Sequence, residues 1–149
     1  TLRSRGLGDV YKRQMLCVED ALDALAWVES IGGLSSSIKR SENNLKAVKD
    51  WVKNSHWIDF LCEDYDNLSS TSICLKIKDK SFLNLSDDMQ KSKIKEINTI
   101  LEKENVAYDI NSYRTAPPGF RIWGGSTVET SDIVSLLPWL DWAYTIVNG

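Results

Sequence analysis

The stretch "SYRTAPPGFRIWGGSTVET", residues 112–130, carries most of what the sequence says about the fold. Pro117-Pro118-Gly119 reads as a turn, because proline presets φ and glycine tolerates conformations closed to other residues. The alternation that follows predicts a strand with Phe120 and Ile122 on one face and Arg121 with Trp123 on the other. Arg114 and Arg121 straddle the turn seven residues apart, and Gly124-Gly125 follow the strand. An arginine so placed presents a planar fork suited to bidentate recognition of a carboxylate. A surface ion pair is the commoner role for either arginine, and Trp123 more often packs than binds; on spacing alone both readings stay open.

Working outward, "VAYDI" (residues 106–110) reads as another strand, as do "HWIDFLCED" (56–64) and "STSICLKIKD" (70–79), short runs of Ile, Phe, Leu and Cys bounded by Asp, Asn and Ser. "YDNLSS" joins the last two. Helices surround them. "VEDALDALAWVESI" places Val18, Ala21, Leu22, Leu25 and Val28 on one face, with Glu19 and Asp20 in the first turn and Gly32-Gly33 at the end. A second helix, about 36–54, spaces Ile38, Leu45, Val48 and Val52 for a half-buried face. Ser86 followed by Asp87 and Asp88 is an N-cap, opening a helix to about Glu104 that carries Met89, Ile94, Ile97 and Leu101 inward. The last helix, about 131–147, contains Pro138, which is expected to kink it or start a new segment. In order the body reads α, α, β, β, α, β, β, α, a small α/β sandwich with a largely antiparallel sheet.

The front of the chain reads differently. "SRGLGDVYKRQ", residues 4–14, resembles an in-frame translation of the transposon-end adapter used to tag sequencing libraries. No strand precedes Gly6, so the Gly-x-Gly lacks the setting of a phosphate-binding loop. Residues 1–14 are therefore expected to be adapter-derived and disordered, and are excluded from fold reasoning. The formal net charge is -3. Arg3, Arg5, Lys12 and Arg13 against Asp9 leave residues 15–149 at about -6, an acidic body that argues against a nucleic-acid surface. No run approaches the ~18 apolar residues of a membrane span, and no signal peptide is evident, so a cytoplasmic setting is the default expectation. Cys17, Cys62 and Cys74 are odd in number and lack metal-ligand spacing, so neither disulfides nor a metal site is expected.

Candidate catalytic groups are scarce. His56 is the one histidine, and its bland reading is a loop residue at a strand edge. Glu63-Asp64 and Asp87-Asp88 sit where solvation and capping explain them, and the cysteines read as small core residues. No catalytic residue is assigned within the chain.

"MLCVEDALDALAWVESIGGL", "HWIDFLCED", "TSICLKI", "LEKENVAYDINSYR", "APPGFRIWGG" and "TVETSDIVSLLPWLDWAY" together resemble the C-terminal part of the phosphoserine aminotransferase family, in its alphaproteobacterial and Methanosarcina-like variety. The resemblance covers essentially residues 15–149. It implies a class V, fold type I enzyme that uses pyridoxal 5'-phosphate as a homodimer. Such an enzyme interconverts 3-phosphohydroxypyruvate plus glutamate with phosphoserine plus 2-oxoglutarate in serine biosynthesis. The implied domains are a linking helix over 15–33 from a large domain and the small C-terminal domain over 34–149. Arg121 matches the family's arginine for the substrate α-carboxylate. Arg114 falls where other branches carry a His-Arg pair near the substrate phosphate. Tyr113 replaces that histidine, and the turn between the arginines is one residue longer. Gly124 stands where relatives often have cysteine. The Schiff-base lysine and most cofactor contacts lie in the family's large domain, so the chain alone is expected to bind no cofactor and be inactive. The competing expectations are another class V aminotransferase, of serine-glyoxylate or alanine-glyoxylate type, and a noncatalytic ferredoxin-like binding module.

Overall fold

The computed structural model describes the backbone of residues 7–113 and 115–149, with side chains from Met15 onward. Two compact units divide between Ile38 and Lys39. The first holds helix α1, Leu7–Ser30, and the opening turns of α2, Gly33–Asn54. Gly32 and Gly33 between them have φ of 105° and 77°, the left-handed region that glycine enters without steric cost. α1 begins at Leu7, inside the segment 1–14; residues 1–6 lie outside the described residues. No proline interrupts residues 7–17, and extending a nucleated helix costs little. The apolar stripe of α1 is open: Val18, Leu22 and Leu25 are all more than half exposed.

The second unit is built on a three-stranded antiparallel sheet in the order β1-β2-β3: β1 Ile58–Phe60, β2 Ser72–Ile77 and β3 Gly119–Trp123. The pairing aligns Ile58 with Ile77, Phe60 with Leu75, Leu75 with Phe120 and Ile73 with Ile122. One sheet face is therefore wholly apolar. It joins Leu45, Val48 and Val52 of α2, Ile94, Ile97 and Leu101 of α4, Asp87–Lys103, and Ile133, Leu137 and Leu140 of α5, Thr130–Asn148, in one buried cluster. The other face displays Ser72, Cys74 and Lys76 of β2 beside Arg121 and Trp123 of β3, none of them fully buried. The α/β expectation holds, with helices against one side of the sheet.

Polar contacts fix the layers. The indole N–H groups of Trp51 and Trp57 donate to the two oxygens of Asp141 at 2.9 and 2.7 Å, tying α2 and the start of β1 to α5. Tyr144 stacks on Trp57, centroids 4.0 Å apart, and donates its hydroxyl to Asp79 at 2.7 Å. Asp79 in turn caps a short helix, α3, Lys80–Leu83, which the sequence reading lacked.

Ser86 caps α4 as expected, its hydroxyl accepting from the N–H of Met89. Met89 itself is half exposed, not inward: it sits in the first turn, and the buried face begins at Ile94. The expected strand over 106–110 is absent. Asn105 and Asp109 have φ of 56° and 51°, which breaks extended geometry at both ends of the run. What remains is a bridge between Asn111 and Phe120 with flanking backbone bonds from Arg121 to Ile110 and from Ser112 to Gly119. α5 runs through Pro138, and both Pro138 and Val134, whose carbonyl loses its partner, are exposed residues. Cys17 and Cys62 are exposed and Cys74 is half-buried, so the cysteines are not core residues.

Candidate functional site

Arg121 occupies the centre of β3, with its N–H donating to the carbonyl of Ile110 at 2.8 Å and its backbone paired with Cys74 of β2. Both strand edges at this point are engaged, so the side chain leaves a fixed backbone. Gly119, two residues earlier, allows this: a Cβ there would lie 2.1 Å from the Leu75 carbonyl oxygen, closer than any side chain permits.

The loop after β3 is anchored by α2. Fully buried Asn44 shares its amide N–H groups among the carbonyls of Gly124, Gly125 and Val128, at 3.0–3.3 Å, and accepts from the Thr130 hydroxyl at 2.7 Å. Arg40 adds a bond to the Ser126 carbonyl at 2.7 Å and an ion pair with Glu129. Every polar atom of Asn44 is thus used to hold residues 124–130. Neither residue was singled out from sequence; a polar residue on a helix's buried face was the available signal.

The Arg121 side chain lies along one wall of an open cleft of about 420 Å³, lined also by Tyr108, Asp109, Trp123, Asp132 and Leu136. The guanidinium carbon sits 4.4 Å from the Tyr113 ring centroid, and Nη1 donates to the Tyr113 hydroxyl at 3.2 Å. Nη2 is 3.7 Å from an Asp109 carboxylate oxygen, and Nε is buried without a hydrogen-bond partner. The side chain keeps a quarter of its surface exposed. Among the described residues that line the cleft, Arg121 is the one cation, beside the carboxylates of Asp109 and Asp132. Arg114 lies outside the described residues, so its position relative to Arg121 is not part of this geometry.

No lysine is found among the residues lining this cleft, and Lys46, Lys76 and Lys91 form ion pairs elsewhere with Asp50, Glu63 and Asp87. A pyridoxal group is held through an imine to a lysine amine, a group that the lining of this cleft does not include. Among the described residues no cluster of three or more metal-ligating side chains occurs, and no helix is long and apolar enough to cross a membrane. His56 is an exposed residue just before β1.

No protein-family model matches the chain. Over 134 residues, 90% of the chain, it is 47% identical to a phosphoserine aminotransferase of Methanosarcina barkeri (strain Fusaro), and over the same length 44% identical to that of Methanosarcina mazei. The chain spans about a third, 34%, of the length of these curated relatives, in their C-terminal portion. Among solved structures, phosphoserine aminotransferase from Bacillus circulans subsp. alkalophilus superimposes with a TM-score of 0.65 at 17% identity, covering 81% of this chain and 30% of that one. A phosphoserine aminotransferase structure determined to follow radiation damage of its Schiff base gives 0.60 at 15% identity over the same shares. These likenesses identify the fold as that of a C-terminal part of a fold type I enzyme.

Proposed function

We propose that this chain, a C-terminal part of a phosphoserine aminotransferase, supplies that enzyme's grip on the substrate α-carboxylate through Arg121. The reaction read for the intact enzyme is transfer of an amino group from glutamate to 3-phosphohydroxypyruvate, as a homodimer in the cytoplasm. Pyridoxal phosphate supplies the electron-withdrawing chemistry when bound. Its lysine belongs, in this reading, to the part of the enzyme that corresponds to the other two-thirds of the relatives, and the chain by itself is inactive.

The observation that carries the reading is the presentation of Arg121. Its backbone is fixed between β2 and the segment at Ile110, its guanidinium lies over Tyr113, and Nη2 has a 3.7 Å ion pair with exposed Asp109. A guanidinium so held meets both oxygens of a carboxylate with parallel N–H bonds. Glutamate and phosphoserine share the α-carboxylate, so one arginine serves both half-reactions. Arg114, on the other flank of the Pro-Pro-Gly turn, is proposed for the phosphate of phosphoserine.

Substitution in the full-length enzyme separates the two roles. Arg121→Lys keeps the charge and loses the fork, so kcat/KM should fall in both half-reactions by about 2 kcal/mol or more, roughly thirtyfold. Arg114→Ala should weaken the phosphoserine half-reaction and leave the glutamate half-reaction within a few-fold. An unaltered Arg121→Lys enzyme, or equal losses for both substrates at Arg114, would refute the corresponding assignment.

A further inference from the structure

Tyr113 is 60% exposed, yet its ring and its hydroxyl both meet one group. Its ring lies against the Arg121 guanidinium at 4.4 Å, and its hydroxyl accepts from Nη1 of the same guanidinium at 3.2 Å. Apolar burial does not account for a ring left this open. The arrangement constrains the arginine instead: the ring covers one side of the guanidinium, and the hydroxyl adds one long hydrogen bond to Nη1. Arg121 needs such a partner. Nε has no acceptor, and Asp109 is distant and nearly nine-tenths exposed, so neither holds the long side chain in one rotamer.

We propose that Tyr113 is the positioning residue for Arg121, holding the fork in the plane that a substrate carboxylate meets. The proposal rests on the reading of Arg121 as the carboxylate ligand. Nη1 carries two N–H groups; one goes to the tyrosine hydroxyl and the other stays available beside Nη2, where the incoming carboxylate takes the place of Asp109. Tyr113 thus remains on the arginine in both the free and the bound state. It acts through Arg121 and touches no reacting atom.

Two measurements test this. In this chain, the Nε–H resonance of Arg121 should carry a ring-current shift that persists in Tyr113→Phe and disappears in Tyr113→Leu. In the full-length enzyme, Tyr113→Leu should raise KM for glutamate about tenfold with kcat within threefold, as expected when a stacked cation loses its ring. Tyr113→Phe, which keeps the ring, should stay within threefold of the parent in KM. Because Tyr113 is exposed, both variants should keep the parent's unfolding midpoint, and Tyr113→Ser, which also lacks the ring, supplies the test if Tyr113→Leu does not fold. If Arg121→Lys is impaired while Tyr113→Leu binds glutamate like the parent, the positioning role is wrong and the carboxylate role stands. If Arg121→Lys is unimpaired, the carboxylate role itself has failed. Equal KM losses in Tyr113→Leu and Tyr113→Phe, or an Arg121 resonance indifferent to both, would also overturn the proposal.

Discussion

If Arg121 grips the substrate carboxylate as proposed, Asp109 is the anion that the substrate displaces. Its carboxylate is 3.7 Å from Nη2 of Arg121 and almost entirely solvated, so the pair contributes little to stability and yields readily to a ligand. Its backbone, at φ 51°, is a conformation that asparagine adopts as easily as aspartate. Asp109→Asn should therefore preserve the turn and remove one negative charge from the mouth of the cleft. KM for glutamate in the full-length enzyme should fall by up to about fivefold at low salt, the scale of an exposed pair, and the gain should vanish as ionic strength rises. A KM that rises would show Asp109 to be an ally of the substrate. Arg121 was legible in the sequence because strand alternation fixes its face. Its neighbours were not: Asp109 meets it where the run 106–110 abandons extended geometry, with Asn105 and Asp109 in the left-handed region that Asn and Asp tolerate, and the apolar residues of the run masked that signal.

Between elements, the bond from Tyr144 of α5 to Asp79 at the cap of α3 makes stability depend on pH at both extremes. The Asp79 carboxyl is held below its ordinary value, chiefly by the Tyr144 hydroxyl and then by the N–H of Ser81. A lowered carboxyl contributes stability that is present above its unfolded value near 4 and is lost as pH falls through the folded one. Tyr144 is pushed up, first by burial and then by Asp79, so its contribution is complete below the unfolded value of about 10 and declines above it. Tyr144→Phe should cost about 1–2 kcal/mol at neutral pH, with the deficit shrinking below pH 4 and above pH 10; urea unfolding across that range checks it. α4 was legible because its serine cap and helical spacing are local. α3 was not, since four residues carry too little periodicity, and its cap is completed by a tyrosine 65 residues away.

For the whole molecule, the proposed reading is a carboxylate-gripping domain that works with the two-thirds of its relatives' length it does not span. Pyridoxal phosphate added to this chain should therefore form only weak, nonspecific adducts with exposed lysines; a stoichiometric absorbance band, fixed by borohydride and mapped to a single residue, would contradict this. The polar ties described above also have a consequence for how the site comes into being. Asn44 reaches Gly124 across 80 positions, Trp57 reaches Asp141 across 84, and Arg40 reaches Ser126 across 86. Closing chain segments of that length is entropically expensive, and such contacts form late in folding. The loop that follows the arginine is pinned by a helix made long before it, and synthesis must pass residue 144 before Trp57, just ahead of the first strand, has both Asp141 and Tyr144 to meet.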